Sequence, residues 1–167
     1  MIKTFNSILV TMFGLGKIKF MPGTLGSLAT TVFLFYLFHS LNISSNIILI
    51  SLIIIFIYSF YAVSTHTESS KNKDPGEIII DEFLGQSIPI YLYEISHVTT
   101  KESDQAIVYY ALFFILFRYF DIMKPFPVNF FDKNFKNSFG VIMDDICAGL
   151  YVVLTVVCFM YIKSYVL

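Results

Sequence analysis

The stretch Phe117-Arg118-Tyr119-Phe120-Asp121-Ile122-Met123-Lys124-Pro125-Phe126-Pro127 sets an arginine, an aspartate and a lysine three residues apart, between an apolar run and two prolines. Residues three apart share a side of a helix, so Arg118 and Asp121 fall on one face at its end, with Lys124 just before the break. Two acidic pairs, Asp81-Glu82 and Asp144-Asp145, open other apolar segments, and Pro22-Gly23-Thr24-Leu25-Gly26-Ser27 opens a third. Carboxylates suit Mg²⁺, which prefers oxygen ligands and keeps some water. Arginine and lysine bind phosphate oxygens, and amides at a helix start favour anions. A metal ion adds activation of water or polarisation of a phosphoryl group. Brought together, these residues form the inventory of a metal-assisted phosphate site.

Each cluster also has a plainer reading. Either acidic pair serves equally as first-turn charges answering the helix dipole. Asp121 standing alone would simply pair with Arg118 or Lys124, and the glycine stretch would be a turn with Thr24 as N-cap. What separates the readings is whether the elements bring the clusters to one place.

The elements are apolar. Of 167 residues, 56% are hydrophobic and 14% charged, and mean hydropathy is +0.73, whereas a soluble domain carries about 25% charged residues. The aromatic fraction of 18% suits lipid-facing and headgroup positions. The expectation is an all-α, polytopic membrane helix bundle of four to five spans, forming one domain over residues 1–167. Residues 1–13 are amphipathic and too short to cross, which suits an interfacial helix. Spans are expected at residues 24–41, 45–64, 78–93, 105–120 and 141–161, about 20 apolar residues being needed for the hydrocarbon core. The third, holding Asp81, Glu82, Gly85, Gln86 and Pro89, reads as short and broken. Polar loops fall at 65–77 and 97–104, and a long loop with Pro125, Pro127 and Asp132 leads to Gly140.

With alternating spans, Lys3, Lys17, Lys19, Lys71, Lys73, Arg118, Lys124, Lys133 and Lys136 fall on one side. Lys101 and Lys163 complete the eleven basic residues on the other. The positive-inside rule makes the crowded side cytoplasmic. All the acidic clusters and the glycine stretch then meet at that face, where unpaired charges at the edge of hydrocarbon cost several kcal/mol each, in order of magnitude. A divalent cation relieves both that cost and the mutual repulsion. Gly85 and Gly149, each four residues after a carboxylate, are expected to let helices approach closely.

Other chemistries fit poorly. Net charge −1 gives no basic surface for nucleic acid. Cys147 and Cys158 form neither metal-ligand spacing nor a disulfide framework. No arginine follows Cys147 at the spacing of a thiol phosphatase, and there is no Asp-x-Asp pair for an aspartyl-phosphate mechanism. His39 and His97 fall on the far side, and His66 reads as a surface-loop residue. A small cation carrier or channel is the alternative from another class, but the centres of the second, fourth and fifth spans carry almost no polar groups. A lipid phosphotransferase lacks its Asp-Gly-x-x-Ala-Arg signature.

Four stretches carry a resemblance: Pro22-Gly23-Thr24-Leu25-Gly26-Ser27-Leu28, Ile80-Asp81-Glu82-Phe83-Leu84-Gly85, the Phe117 to Pro127 stretch, and Gly140-Val141-Ile142-Met143-Asp144-Asp145-Ile146-Cys147-Ala148-Gly149. In order and spacing the chain resembles the bacterial phosphatidylglycerophosphatase A family, and the loop with Glu68 and Asp74 is similar too. The resemblance implies Mg²⁺-dependent removal of the terminal phosphate of phosphatidylglycerophosphate, a phospholipid substrate, at the bacterial inner membrane. On this reading Asp81, Glu82, Asp121, Asp144 and Asp145 hold the metal, with Asp81, Asp121 and Asp145 also catalytic. Arg118, Lys124, Thr24, Gly26 and Ser27 bind phosphate. Metal-activated water is the favoured nucleophile and a carboxylate such as Asp121 the alternative. Oligomeric state is left open.

Overall fold

The computed structural model describes residues 2–68, 76–96 and 103–166. Within them run α1 (Ile2–Val10), a 3-10 turn (Leu15–Lys17) and α2 (Pro22–Phe35), which continues through a π-helical turn (Tyr36–Ser40). Then come α3 (Ser45–Thr67), α4 (Ile80–Ser96), α5 (Ser103–Met123), α6 (Val128–Asn134) and α7 (Ser138–Val166). Asp74, in the stretch before α4, and His97 and Lys101, in the stretch after it, lie outside the described residues.

The result is a helical membrane bundle. Among the described residues, three helices are long and apolar enough to cross a bilayer: α3, α5 and α7. At 17 residues, with two acids in its first turn, α4 is shorter and more polar. The outer faces confirm the class. On α3, Ile47, Ile50, Ile54 and Ile57 are each more than half exposed, as are Val108, Ile115, Tyr119 and Ile122 on α5. Apolar stripes of that extent are not left facing water. Small hydroxyls lie inside instead. Ser27, Thr30, Thr31 and Ser87 each donate to the carbonyl one turn back, at 2.8, 2.8, 2.8 and 2.6 Å, so they are buried without an orphaned group.

The most extensive helix pair is α4 with α7, and the two run in the same direction. A Cβ on Gly85 would collide with the Asp145 carbonyl oxygen, and one on Gly149 with the Gly85 carbonyl oxygen. The expected close approach is therefore between these two glycines. α4 runs unbroken through Pro89, where a break was expected, although Pro89 has no N–H to offer the Gly85 carbonyl.

At the far end of the bundle, α2, α4 and α5 meet at Glu94, which is 1% exposed. Its Oε1 contacts His39 Nε2 at 2.9 Å and accepts from the Tyr110 hydroxyl at 3.0 Å. The π turn delivers His39, whose ring stacks on Phe35 at 4.6 Å. Near the opposite end, α1 lies along α3 with Ile2, Phe5 and Ile8 exposed. Asn6 fixes it there, its Nδ2 donating to Thr65 Oγ1 at 2.6 Å and its Oδ1 accepting from Tyr58 OH at 2.7 Å. This matches an interfacial helix. His66 is not a loop residue: it lies in the last turn of α3, with Nε2 2.9 Å from Glu77 Oε1.

Candidate active site

The starts of α2, α4 and α7, the end of α5 and the α6–α7 connection enclose a cavity of about 950 Å³. Its inner wall is acidic. The first turn of α4 supplies Asp81 and Glu82, and α7 supplies Asp145. One carboxylate oxygen from each lies within 4.8 Å of the others. Asp145 is 3% exposed. The Glu82 Oε2 atom is buried and meets no hydrogen-bond donor among the described residues.

Two cations stand beside this group, each already engaged. Arg118 Nη1 lies 2.6 Å from Asp121 Oδ2, the pairing that their spacing predicts. Lys124 ends α5 in the left-handed region, φ 43°, its amide donating to Phe120 O at 2.9 Å. That turn carries its ammonium between Asp132 at 2.6 Å and Asp144 at 3.0 Å. Burial works to lower the pKa of Lys124, but the hydrogen bond from its ammonium to Asp132 and the charge of Asp144 raise it above the ordinary lysine value. The group is an ammonium at neutral pH.

The glycine stretch meets the site at its first residues. Because α2 begins at Pro22, the Gly23 and Thr24 amides lie before the helical ladder, whereas Leu25 N already donates to Met21 O at 3.1 Å. Gly23 and Thr24 line the cavity. A Cβ on Gly23 would strike Glu82 Oε1 and would come within 3.2 Å of Arg118 Nη1, so a side chain there would push the Glu82 carboxylate aside. Gly26 and Ser27 do not reach the cavity. Gly26 packs against Ile79, and the fully buried Ser27 spends its hydroxyl on Gly23 O.

Helix boundaries decide one of the plainer readings. Asp81 and Glu82 do lie in a first turn, where dipole stabilisation applies. α7, however, starts at Ser138, so Asp144 and Asp145 lie beyond its first turn, past the reach of that effect. Their burial beside Lys124 and α4 needs another explanation.

Of the residues anticipated from sequence, Asp81, Glu82, Arg118, Asp121, Lys124, Asp144, Asp145 and Thr24 share this cavity. Asp132, Lys133 and Lys136 were not anticipated and also line it. Their only sequence signal was a cluster of charges between prolines and a glycine.

The described carboxylates fit a divalent ion. They offer hard oxygen donors in close proximity, and the buried Glu82 Oε2 has no hydrogen-bond partner among the described residues.

A family model described as phosphatidylglycerophosphatase A matches residues 8–160. The chain is 36% identical to phosphatidylglycerophosphatase A of Haemophilus influenzae, the match covering 92% of the chain and 88% of the relative. A protein of Bacteroides thetaiotaomicron named "putative phosphatidylinositol-3-phosphatase" is 32% identical, covering 89% of each. Phosphatidylglycerophosphatase A of Escherichia coli is 30% identical, covering 86% of the chain and 76% of the relative. No solved structure matches. With the family model running through every element that lines the cavity, and relatives of that name aligned over most of their length, the chain belongs to the phosphatidylglycerophosphatase A family and is a phosphatase.

Proposed function

We propose that this chain, acting as one domain over residues 1–167, hydrolyses the terminal phosphate monoester of phosphatidylglycerophosphate with Mg²⁺ at the cytoplasmic face of the bacterial inner membrane. Water adds to phosphorus, the bond to the glycerol oxygen breaks, and that oxygen takes a proton, leaving phosphatidylglycerol and inorganic phosphate. The observation that carries the reading is the Asp81, Glu82 and Asp145 cluster, its oxygens within 4.8 Å, in a cavity that also holds Arg118 and Lys124.

Asp81, Glu82 and Asp145 would hold the ion, with Asp121 and Asp144 beside them. When bound, Mg²⁺ lowers the pKa of water and polarises a phosphoryl oxygen. The chain's own groups do the rest. Arg118, oriented by Asp121, lines the cavity and would bind a phosphate oxygen through its guanidinium. Lys124 adds positive charge, and the Gly23 and Thr24 amides add donors at a helix start. The asymmetry of nine basic residues against two supports the cytoplasmic face.

The name of one relative supplies a second substrate reading, a phosphoinositide monoester. The test is phosphate release by the purified protein in uncharged detergent from phosphatidylglycerophosphate, phosphatidylinositol 3-phosphate and phosphatidic acid, with Mg²⁺ and with chelator. The expected result is Mg²⁺-dependent release, fastest from phosphatidylglycerophosphate. Release that ignores the chelator, or favours the inositide, would overturn the corresponding part.

A further inference from the structure

The cavity is lined by six carboxylates, Asp81, Glu82, Asp121, Asp132, Asp144 and Asp145, and four cations. Two of the cations, Arg118 and Lys124, are held by carboxylates. The other two, Lys133 and Lys136, are exposed at the rim and meet no carboxylate among the described residues. They belong to a built element. The rings of Phe130, Phe131, Phe135 and Phe139, from the same segment, pack on one another at centroid distances of 5.5 to 6.0 Å. Phe135 N donates to Phe131 O at 3.1 Å, and the Phe135 carbonyl passes so close to Gly140 that no side chain would fit there.

A phosphate monoester carries nearly two negative charges at neutral pH, which the ion and the inner cations answer. The lipids at issue under the proposed function carry another anion, the phosphodiester joining headgroup to acyl glycerol. An acidic cavity would repel it unless it met a cation of its own. We propose that Lys133 and Lys136 form a second anion subsite at the cavity rim. It takes the substrate's phosphodiester and selects lipids with a monoester beyond a diester over lipids whose one phosphate is the monoester. This rests on the hydrolysis proposed above. Two plainer roles compete: Lys133 answers the C-terminal dipole of its own helix, and both lysines attract anionic bilayer surface in general.

The test compares wild type, K133Q/K136Q and K133R/K136R on phosphatidylglycerophosphate and phosphatidic acid in uncharged detergent micelles, and in anionic vesicles. The expected result in micelles is a KM for phosphatidylglycerophosphate raised roughly tenfold in K133Q/K136Q, the loss of a charge-assisted contact at an exposed site. The kcat should hold within about twofold, the constants for phosphatidic acid should stay put, and K133R/K136R should regain the wild-type KM. If wild type does not turn over phosphatidic acid at all, the KM rise and its arginine rescue decide. An unchanged KM in micelles, a loss confined to anionic vesicles, or an equal loss on both lipids overturns the subsite while leaving hydrolysis standing. A wild-type protein that releases phosphate from neither lipid removes the functional reading, and the subsite with it.

Discussion

The two ends of the bundle bury carboxylates in opposite ways. At the far end, Glu94 is enclosed with its Oε1 answered by the His39 ring and the Tyr110 hydroxyl, and aromatic rings cover them. At the other end, Asp81, Glu82 and Asp145 crowd together with no cation between them and open onto a cavity. A buried polar group that its neighbours satisfy stabilises a fold. Like charges packed together destabilise one unless something binds. The far end is thus a clasp for α2, α4 and α5, whereas the near end, under the proposed function, is the place where an ion would be held.

That contrast predicts different consequences for similar substitutions. Asp145→Asn should lower phosphate release on the order of a thousandfold, as expected for losing an ion ligand, while the protein still inserts and unfolds cooperatively. Retention of a tenth of the turnover would remove Asp145 from the site. Gly85→Ala should separate α4 from α7 and displace Asp81 from Asp145, with activity falling about a hundredfold and stability by about 1–3 kcal/mol. Thermal unfolding in detergent beside turnover reads both, and a variant normal in both would show that the helices tolerate the added carbon.

The far end should respond in stability alone. Glu94→Gln keeps the shape but weakens the contacts to His39 and Tyr110, and should destabilise by about 1–3 kcal/mol with turnover within about twofold. A large loss of turnover without loss of stability would break the comparison, because it would make the clasp part of the chemistry. Tyr110→Phe removes one donor and should cost about 1 kcal/mol, the smallest effect, seen as a lowered unfolding midpoint.

The acidic end was legible from sequence because its members repeat one signature, a charged pair at the edge of an apolar run. Alternating spans then suffice to bring the pairs together. The far end was not legible. His39 and Glu94 are 55 residues apart, and a π turn, which no residue pattern announces, aims the histidine. α6 escaped notice because seven residues beyond two prolines look like loop. Gly140 was taken as the end of that loop, yet it lies within the first turn of α7, a glycine because the Phe135 carbonyl occupies the space of a side chain. Gly26 and Ser27 were grouped with Thr24 as phosphate binders. The helix begins too early for that, and their positions turn away from the cavity.

The contact between Gly85 and Gly149 also has a consequence in time. The ribosome makes α4 well before α7, so Asp81 and Glu82 reach the membrane before Asp145 can join them. That wall of the cavity arrives only when the last long helix packs against Gly85. Under the proposed function, a chain stopped before Asp144 would be anchored in the membrane and silent.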